Sequence, residues 1–168
     1  MAVDTANIII GAGILKIDEE EVGATRDGVV MGRTVEFYDV TCDQANGVIK
    51  KHLVSQTRVL RTSLLEATIE NLKLAWGGTI EEDTVEGTKT LKMGVRDGSE
   101  EHTLTFIGPA PGEYKTRTYT VHRAINVSAS EHSYVKNGEV VIPVEFEILP
   151  DMTQLDGEEW GTIVDSKN

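Results

Sequence analysis

Five glycine-bearing dipeptides, Asp27-Gly28, Asn46-Gly47, Gly77-Gly78, Asp97-Gly98 and Asn137-Gly138, cut the chain into segments rich in Val, Ile, Thr, Tyr and Phe. Glycine supplies the positive φ that tight turns need, and β-branched and aromatic residues suit a pleated surface, so this alternation selects a mainly β chain. Predicted strands cover 13–17, 29–40, 47–61, 88–93, 102–107, 114–128, 139–149 and 160–164. Several exceed the usual length of about six residues. In 139–149, Val140, Ile142, Val144, Phe146 and Ile148 share one face, while Glu139, Val141, Pro143, Glu145 and Glu147 share the other. That alternation predicts one core face and one wet face. Pro143 has no amide hydrogen to give a ladder, so its strand is expected at an edge or with a bulge there.

One segment has a different period. Ser63-Leu64-Leu65-Glu66 has the spacing of a capping box, and Leu65, Ile69, Leu72 and Trp76 follow at steps of four, three and four. The spacing predicts an amphipathic helix over about 64–76, its apolar stripe of Leu65, Ile69, Leu72 and Trp76 turned to the core. Gly77 is placed to stop it in the left-handed conformation. The acid-rich run 81–86, EEDTVE, reads as a solvated loop.

Composition bounds the rest. A chain of 168 residues buries roughly 70% of its unfolded surface and needs no staples. The single Cys42 allows no internal disulfide and no cysteine-built zinc cluster, which suits synthesis in a reducing cytoplasm. Sixteen Lys and Arg against 28 Asp and Glu give a net charge of −12, which disfavours gripping a nucleic-acid backbone. The longest apolar run, Ile8 to Leu15, is too short to span a bilayer and follows Asp4, so neither a signal peptide nor a membrane anchor is expected. The ends, 1–7 and about 155–168, read as arms sparse in apolar residues.

No reaction centre emerges. Gly11-Ala12-Gly13 lacks the third glycine of a dinucleotide loop, since Lys16 holds that place and no helix follows, so it reads as a strand corner and no cofactor is expected. His52, His102, His122 and His132 show no helical zinc spacing, and no metal site is predicted. Cys42 lies in DVTCDQAN, where neighbouring acid opposes thiolate formation. Asn126-Val127-Ser128 matches a glycosylation acceptor, a pattern too short to carry weight alone. A β fold with long strands, sparse ends and no nucleophile in a recognisable setting points to an assembly component and not to an enzyme.

The order of features then matters. A GxG corner is followed by VEFYDVTCDQANGVIKKHLVSQTRVLRTSLLEATIENLKLAWGG, by YKTRTYTVHRAINVSASEHSYVKNGEVVIPVEFEILPD, and by a terminal GTIVDS. This resembles the tail tube proteins of long-tailed bacteriophages, most closely over 34–78 and 114–150. The resemblance implies a single domain of two packed antiparallel β-sheets, sandwich-like or barrel-like, with a flanking helix. It further implies six subunits closing into a ring with a β-barrel lumen, and rings stacking into a tube. The implied partners are further copies of the chain, the tape measure protein in the lumen, terminator and distal tail proteins at the ends, and double-stranded DNA in passage. The implied location is the virion tail. On this resemblance Glu36, Glu145 and Glu147 are candidates to line the lumen, and Asp43, Asn46, Lys50 and Lys51 are candidates for contacts between rings. Two other readings fit the same residues: the tube of a contractile tail or secretion machine, and a monomeric β-sandwich binding module.

Overall fold

The structure, a computed structural model, describes residues 4–95 and 100–167. It is mainly β, with two antiparallel sheets and one helix. A short 3-10 turn at Thr5–Asn7 leads into β1 (Ile14–Ile17) and β2 (Glu20–Glu21), then the long pair β3 (Thr25–Cys42) and β4 (Ala45–Leu64). Helix α1 (Ile69–Trp76) precedes β5 (Thr79–Asp83) and β6 (Thr88–Lys92). The chain continues through β7 (Glu101–Pro109), β8 (Thr116–Asn126), β9 (Ile142–Ile148) and β10 (Thr162–Ser166). The large sheet has the order β2-β1-β7-β8-β9-β4-β3, and β5 and β6 form a separate hairpin. Along one edge β8 pairs with β7; along the other its first half pairs with β10 and its last three residues with β9. The sheet therefore forks at β8.

One core holds the fork together. Leu15 and Ile17 from β1, Leu104 from β7, Val121 and Ala124 from β8, Leu60 and Leu64 from β4, and all four inward residues of β9 are buried in one cluster. Both halves of the strand path contribute, so the sheet is rolled about its core without closing, and the end strands β2 and β3 are not paired to each other. Ile142, Val144, Phe146 and Ile148 alternate with half-buried Pro143, Glu145 and Glu147, as the period-two pattern requires. Pro143 faces Ser63 of β4, and its other side lies before the short β8 ladder begins, where Ser130 Oγ donates to its carbonyl at 2.8 Å. The strand is central, but locally it is an edge.

The GAG corner is a packing device. A Cβ on Gly13 would lie 2.4 Å from Phe106 Cζ and 2.5 Å from the Ile107 carbonyl oxygen, so only glycine lets this stretch lie against β7. Asp27-Gly28 and Asn46-Gly47, read as turns, are bulges: the β3–β4 register slips between Arg26 and Val30, and again between Val40 and Cys42. A bulge asks for the same positive φ as a turn, and Asp27 (61°), Gly28 (78°) and Gly47 (117°) supply it. The hairpin turn itself is Asp43-Gln44, between paired Cys42 and Ala45.

The helix is shorter than its periodicity suggested. Its N-cap is Thr68, whose hydroxyl accepts from the Asn71 amide at 3.2 Å. The capping-box glutamate serves a strand instead, since Glu66 Oε1 accepts from the Ala24 amide at 2.9 Å. Leu65 consequently precedes the helix, its amide bonded to the Ala24 carbonyl. With the cap at 68, Leu72, Leu74 and Ala75 pack on the core while Ile69 is half-buried. Trp76, expected in the core, is 46% exposed and meets only the His132 ring edge-on among aromatic neighbours. Asn71 is the buried residue of the helix, donating to the Val22 and Glu66 carbonyls at 2.9 and 2.8 Å. Gly77 ends α1 at φ 73°, ψ −176°, the glycine-only extended region and not the left-handed basin. Residues 81–83 of the expected acidic loop belong to β5, so that run is half of a hairpin.

Candidate assembly surface

The feature that departs most from a self-sufficient domain is the β3–β4 pair, strands of 18 and 20 residues. Pairing of β4 with β9 stops at Arg58, so residues 34–57 form a two-stranded ribbon with no third strand among the described residues. At about 3.3 Å per residue the ribbon extends roughly 35 Å beyond the body. The first eleven residues of β4, Ala45 to Ser55, are exposed, among them Val48, Ile49, Leu53 and Val54, and opposite them Phe37 and Tyr38 are exposed too. An isolated two-stranded ribbon is marginal in water, and contiguous exposed apolar residues mark interaction surfaces.

Register fixes the ribbon's two faces. Leu60 lies between Met31 and Phe146 on the core side, and the same side continues outward through Arg33–Arg58, Val35–Gln56, Phe37–Leu53 and Asp39–Lys51. The other face carries Val30–Arg61–Glu145, Gly32–Val59–Glu147, Thr34–Thr57, Glu36–Ser55, Tyr38–His52 and Val40–Lys50. Glu36 of β3 and Glu145 and Glu147 of β9, from two separate stretches of sequence, thus share the outer face of one sheet. Glu36 is exposed and accepts from Ser55 Oγ at 3.0 Å, while Glu145 and Glu147 are half-buried. Asp43, Asn46, Lys50 and Lys51 gather at the distal end: Asp43 in the turn, Asn46 in the bulge, and Lys51 bonded to Asp39 at 2.6 Å.

The electrostatics are less one-sided than the composition. Arg61 Nε bonds Glu145 at 2.9 Å, and that hydrogen bond raises the guanidinium's pKa above its ordinary value. Arg26 pairs with Glu139. Residues 25–64 contain six Lys and Arg against four Asp and Glu, a net +2, which leaves −14 of the total −12 for the rest of the chain. The β3–β4 hairpin as a whole is slightly basic against a strongly acidic remainder, its four arginines lying at the base and its free ribbon, 34–57, carrying two lysines against three acids. On that body the carboxylates of Glu101 and Asp165 are held below their ordinary range, by hydrogen bonds from Arg123 and Arg117 respectively. Asp151 is pulled down to about 2, first by the Gln154 amide and then by the Thr153 hydroxyl.

Several features were not legible in advance. The short strand expected at 160–164 within the C-terminal arm forms at 162–166 as β10; what the sequence does not show is its pairing with β8, clamped by a bidentate Arg117–Asp165 pair at 2.6 and 2.7 Å. At the other end the Ala6 carbonyl accepts from Gly112, and residues 1–3 lie outside those described. Asn126 of the glycosylation pattern directs its amide to the Leu74 and Ala75 carbonyls, capping α1 from another strand. His102 is 7% exposed and bonds Asp18 at 2.7 Å; Asp18 and Glu19, both at positive φ, make the β1–β2 turn. Among the described residues no cluster of three or more His, Cys, Asp or Glu could hold a metal ion, and no helix is long and apolar enough to cross a membrane.

No protein-family model matches the chain, and no curated protein sequence does. A solved structure described as the virion of a native gene transfer agent particle contains a chain of similar fold: the match covers 98% of this chain and 99% of that one, with a TM-score of 0.50 and 12% sequence identity.

Proposed function

We propose that this chain is a structural virion protein, a subunit whose six-membered rings stack into the tail tube through which viral DNA leaves the particle. The observation that carries the reading is the free-standing ribbon: a two-stranded arm with apolar side chains on both faces is a poor design for a monomer and a good one for a part covered by neighbours. A fold match running the whole length of a chain from a virion particle supports the same class of role. On this reading the ribbon tip, with Asp43, Asn46, Lys50 and Lys51, reaches an adjacent ring. The outer face carrying Glu36, Glu145 and Glu147 lines the lumen. Its charges nearly balance, since Arg26, Arg61 and Lys50 occupy the same face and Arg26 is paired with Glu139. A nearly neutral lining gives phosphates no excess of cations to displace counterions with, which lets DNA slide. Six chains of net charge −12 add 72 negative charges per ring elsewhere on the tube. The protein performs no chemistry in this role; it assembles and stays out of the way of its cargo.

Sedimentation of the purified chain over a range of concentrations tests the reading. Growth from monomer to a six-chain species and then to long polymers is the expected series. A chain that stays monomeric at the highest attainable concentration is a binding module and not a tube subunit.

A further inference from the structure

Where the body ends and the ribbon begins, two arginines stand directly opposite each other: Arg33 and Arg58 are cross-strand partners, in one row with Ile148 on the core-side face. Like charges in that relation destabilise a sheet on their own. Neither has a carboxylate partner among the described residues, although the chain carries twelve more acids than bases. Among the described residues the Arg33 side chain donates only to Gln56 Oε1, at a long 3.3 Å. Arg58 stacks its guanidinium 5.0 Å from the centre of the Trp160 ring, and its buried Nε has no hydrogen-bond partner. A buried donor left unmatched in a native fold calls for an explanation. Both arginines border a crevice of about 250 Å³, walled by Met31, Tyr119, Trp160 and Ile163, in the fork between the β3–β4 and β8–β10 arms of the sheet. The nearer acids of the same sheet cannot fill it. Glu36 and Glu147 lie on the opposite face, and Asp39, on the right face, is six residues further out and bonded to Lys51.

We infer that the Arg33–Arg58 pair and its crevice form a receptor for a carboxylate side chain of a second copy of this chain, seated in the fork at the base of the ribbon. Charge complementarity selects the occupant: the pair belongs to the +2 segment, and a second copy presents the −14 remainder. Arginine forks bind carboxylates bidentately, and a guanidinium held by a Trp ring loses little further freedom on binding. Apolar walls around the pair favour an acid carried on a protein segment over a solvated phosphate. The inference rests on the ring-subunit reading in one respect: the chain must self-associate.

The test uses the full chain. Arg33→Gln and Arg58→Gln, singly and together, are compared with the parent by sedimentation and by circular dichroism melting. The expected result is an unchanged β spectrum with self-association weakened at least about tenfold, as for a buried interfacial arginine. Arg33→Lys, mixed as isotopically heavy and light chains and treated with a carbodiimide, should give an amide cross-link from residue 33 to an Asp or Glu of the differently labelled chain. If Arg58→Gln fails to fold, the exposed Arg33 variants carry the test alone. Parent-like assembly of Arg33→Gln with no inter-chain cross-link from Arg33→Lys overturns the receptor. Parent-like assembly of Arg33→Gln with weakened binding of a duplex DNA oligonucleotide in a gel-shift titration assigns the pair to phosphate and overturns it as well. A parent that never self-associates overturns the ring reading itself, an outcome distinct from either.

Discussion

Phe146 has no exposed surface and sits at the centre of the cluster in which β4, β8 and β9 meet, with His102 edge-on at 5.8 Å. Truncating such a side chain removes its transfer free energy and leaves a cavity, so Phe146→Ala should destabilise by about 3 to 5 kcal/mol in chemical denaturation. Trp76→Ala should cost less than about 1 kcal/mol, because nearly half the residue is already in water. Equal losses from the two would place Trp76 back in the core. Trp76 falls off the core face because a 4-3-4 spacing describes a helical face only if the helix begins where the count begins. Glu66 was drawn off to the Ala24 amide, which moved the cap to Thr68. No local signal announces a partner 42 residues away. Acid sensitivity belongs to this scale too. Glu101 and Asp165 have lowered pKa values, and Asp151 lies at about 2 against an ordinary 3.8. A carboxyl whose folded pKa is depressed contributes stability above its unfolded pKa and loses that contribution as pH falls through the folded value. Tm should therefore be flat from neutrality down to about pH 5 and decline from about pH 4 towards 2. A Tm that holds through that window would show these hydrogen bonds to be absent in solution.

At the scale of the element, the β3–β4 ribbon and the body should be separable. Joining Val35 to Gln56 through an Asn-Gly turn removes the ribbon while leaving every pair that β4 makes with β9. The shortened chain should keep its β spectrum and its melting transition and should lose self-association. Loss of soluble protein would mean that the ribbon is needed for folding. The outer face of the same element supports a second prediction. Replacing Glu36, Glu145 and Glu147 by lysine turns a nearly balanced face into one with six more positive charges per chain, 36 per ring of six. If that face lines the lumen, assembled tails should eject DNA slowly at low salt and recover as the Debye length shortens to about 3 Å near 1 M. Parental ejection at low salt would put the face on the outside. Strand runs and inward alternation were readable because side chains alternate with period two along any half-buried strand. The bulges at Asp27-Gly28 and Asn46-Gly47 were not, since a bulge and a turn make the same demand on glycine.

For the whole molecule, the sequence revealed a β chain with an acid excess, but not which charges face one another in space. Register gathers Arg26, Arg33, Arg58 and Arg61, far apart along the chain, at the base of one hairpin. The C-terminal stretch likewise read as an arm with one short strand over 160–164, and that strand's place in the sheet depends on Arg117 and Asp165 meeting across β8 and β10. Rolled but unclosed, with a ribbon projecting from one end, the molecule presents strand edges and apolar surface that ring closure and stacking would cover. Electron cryomicroscopy of the concentrated protein examines that claim most directly. Hollow tubes of stacked six-subunit rings are expected, each ribbon packed between neighbouring subunits and the Glu36, Glu145 and Glu147 face turned to the channel. Dispersed single subunits with the ribbon free in solvent would contradict it.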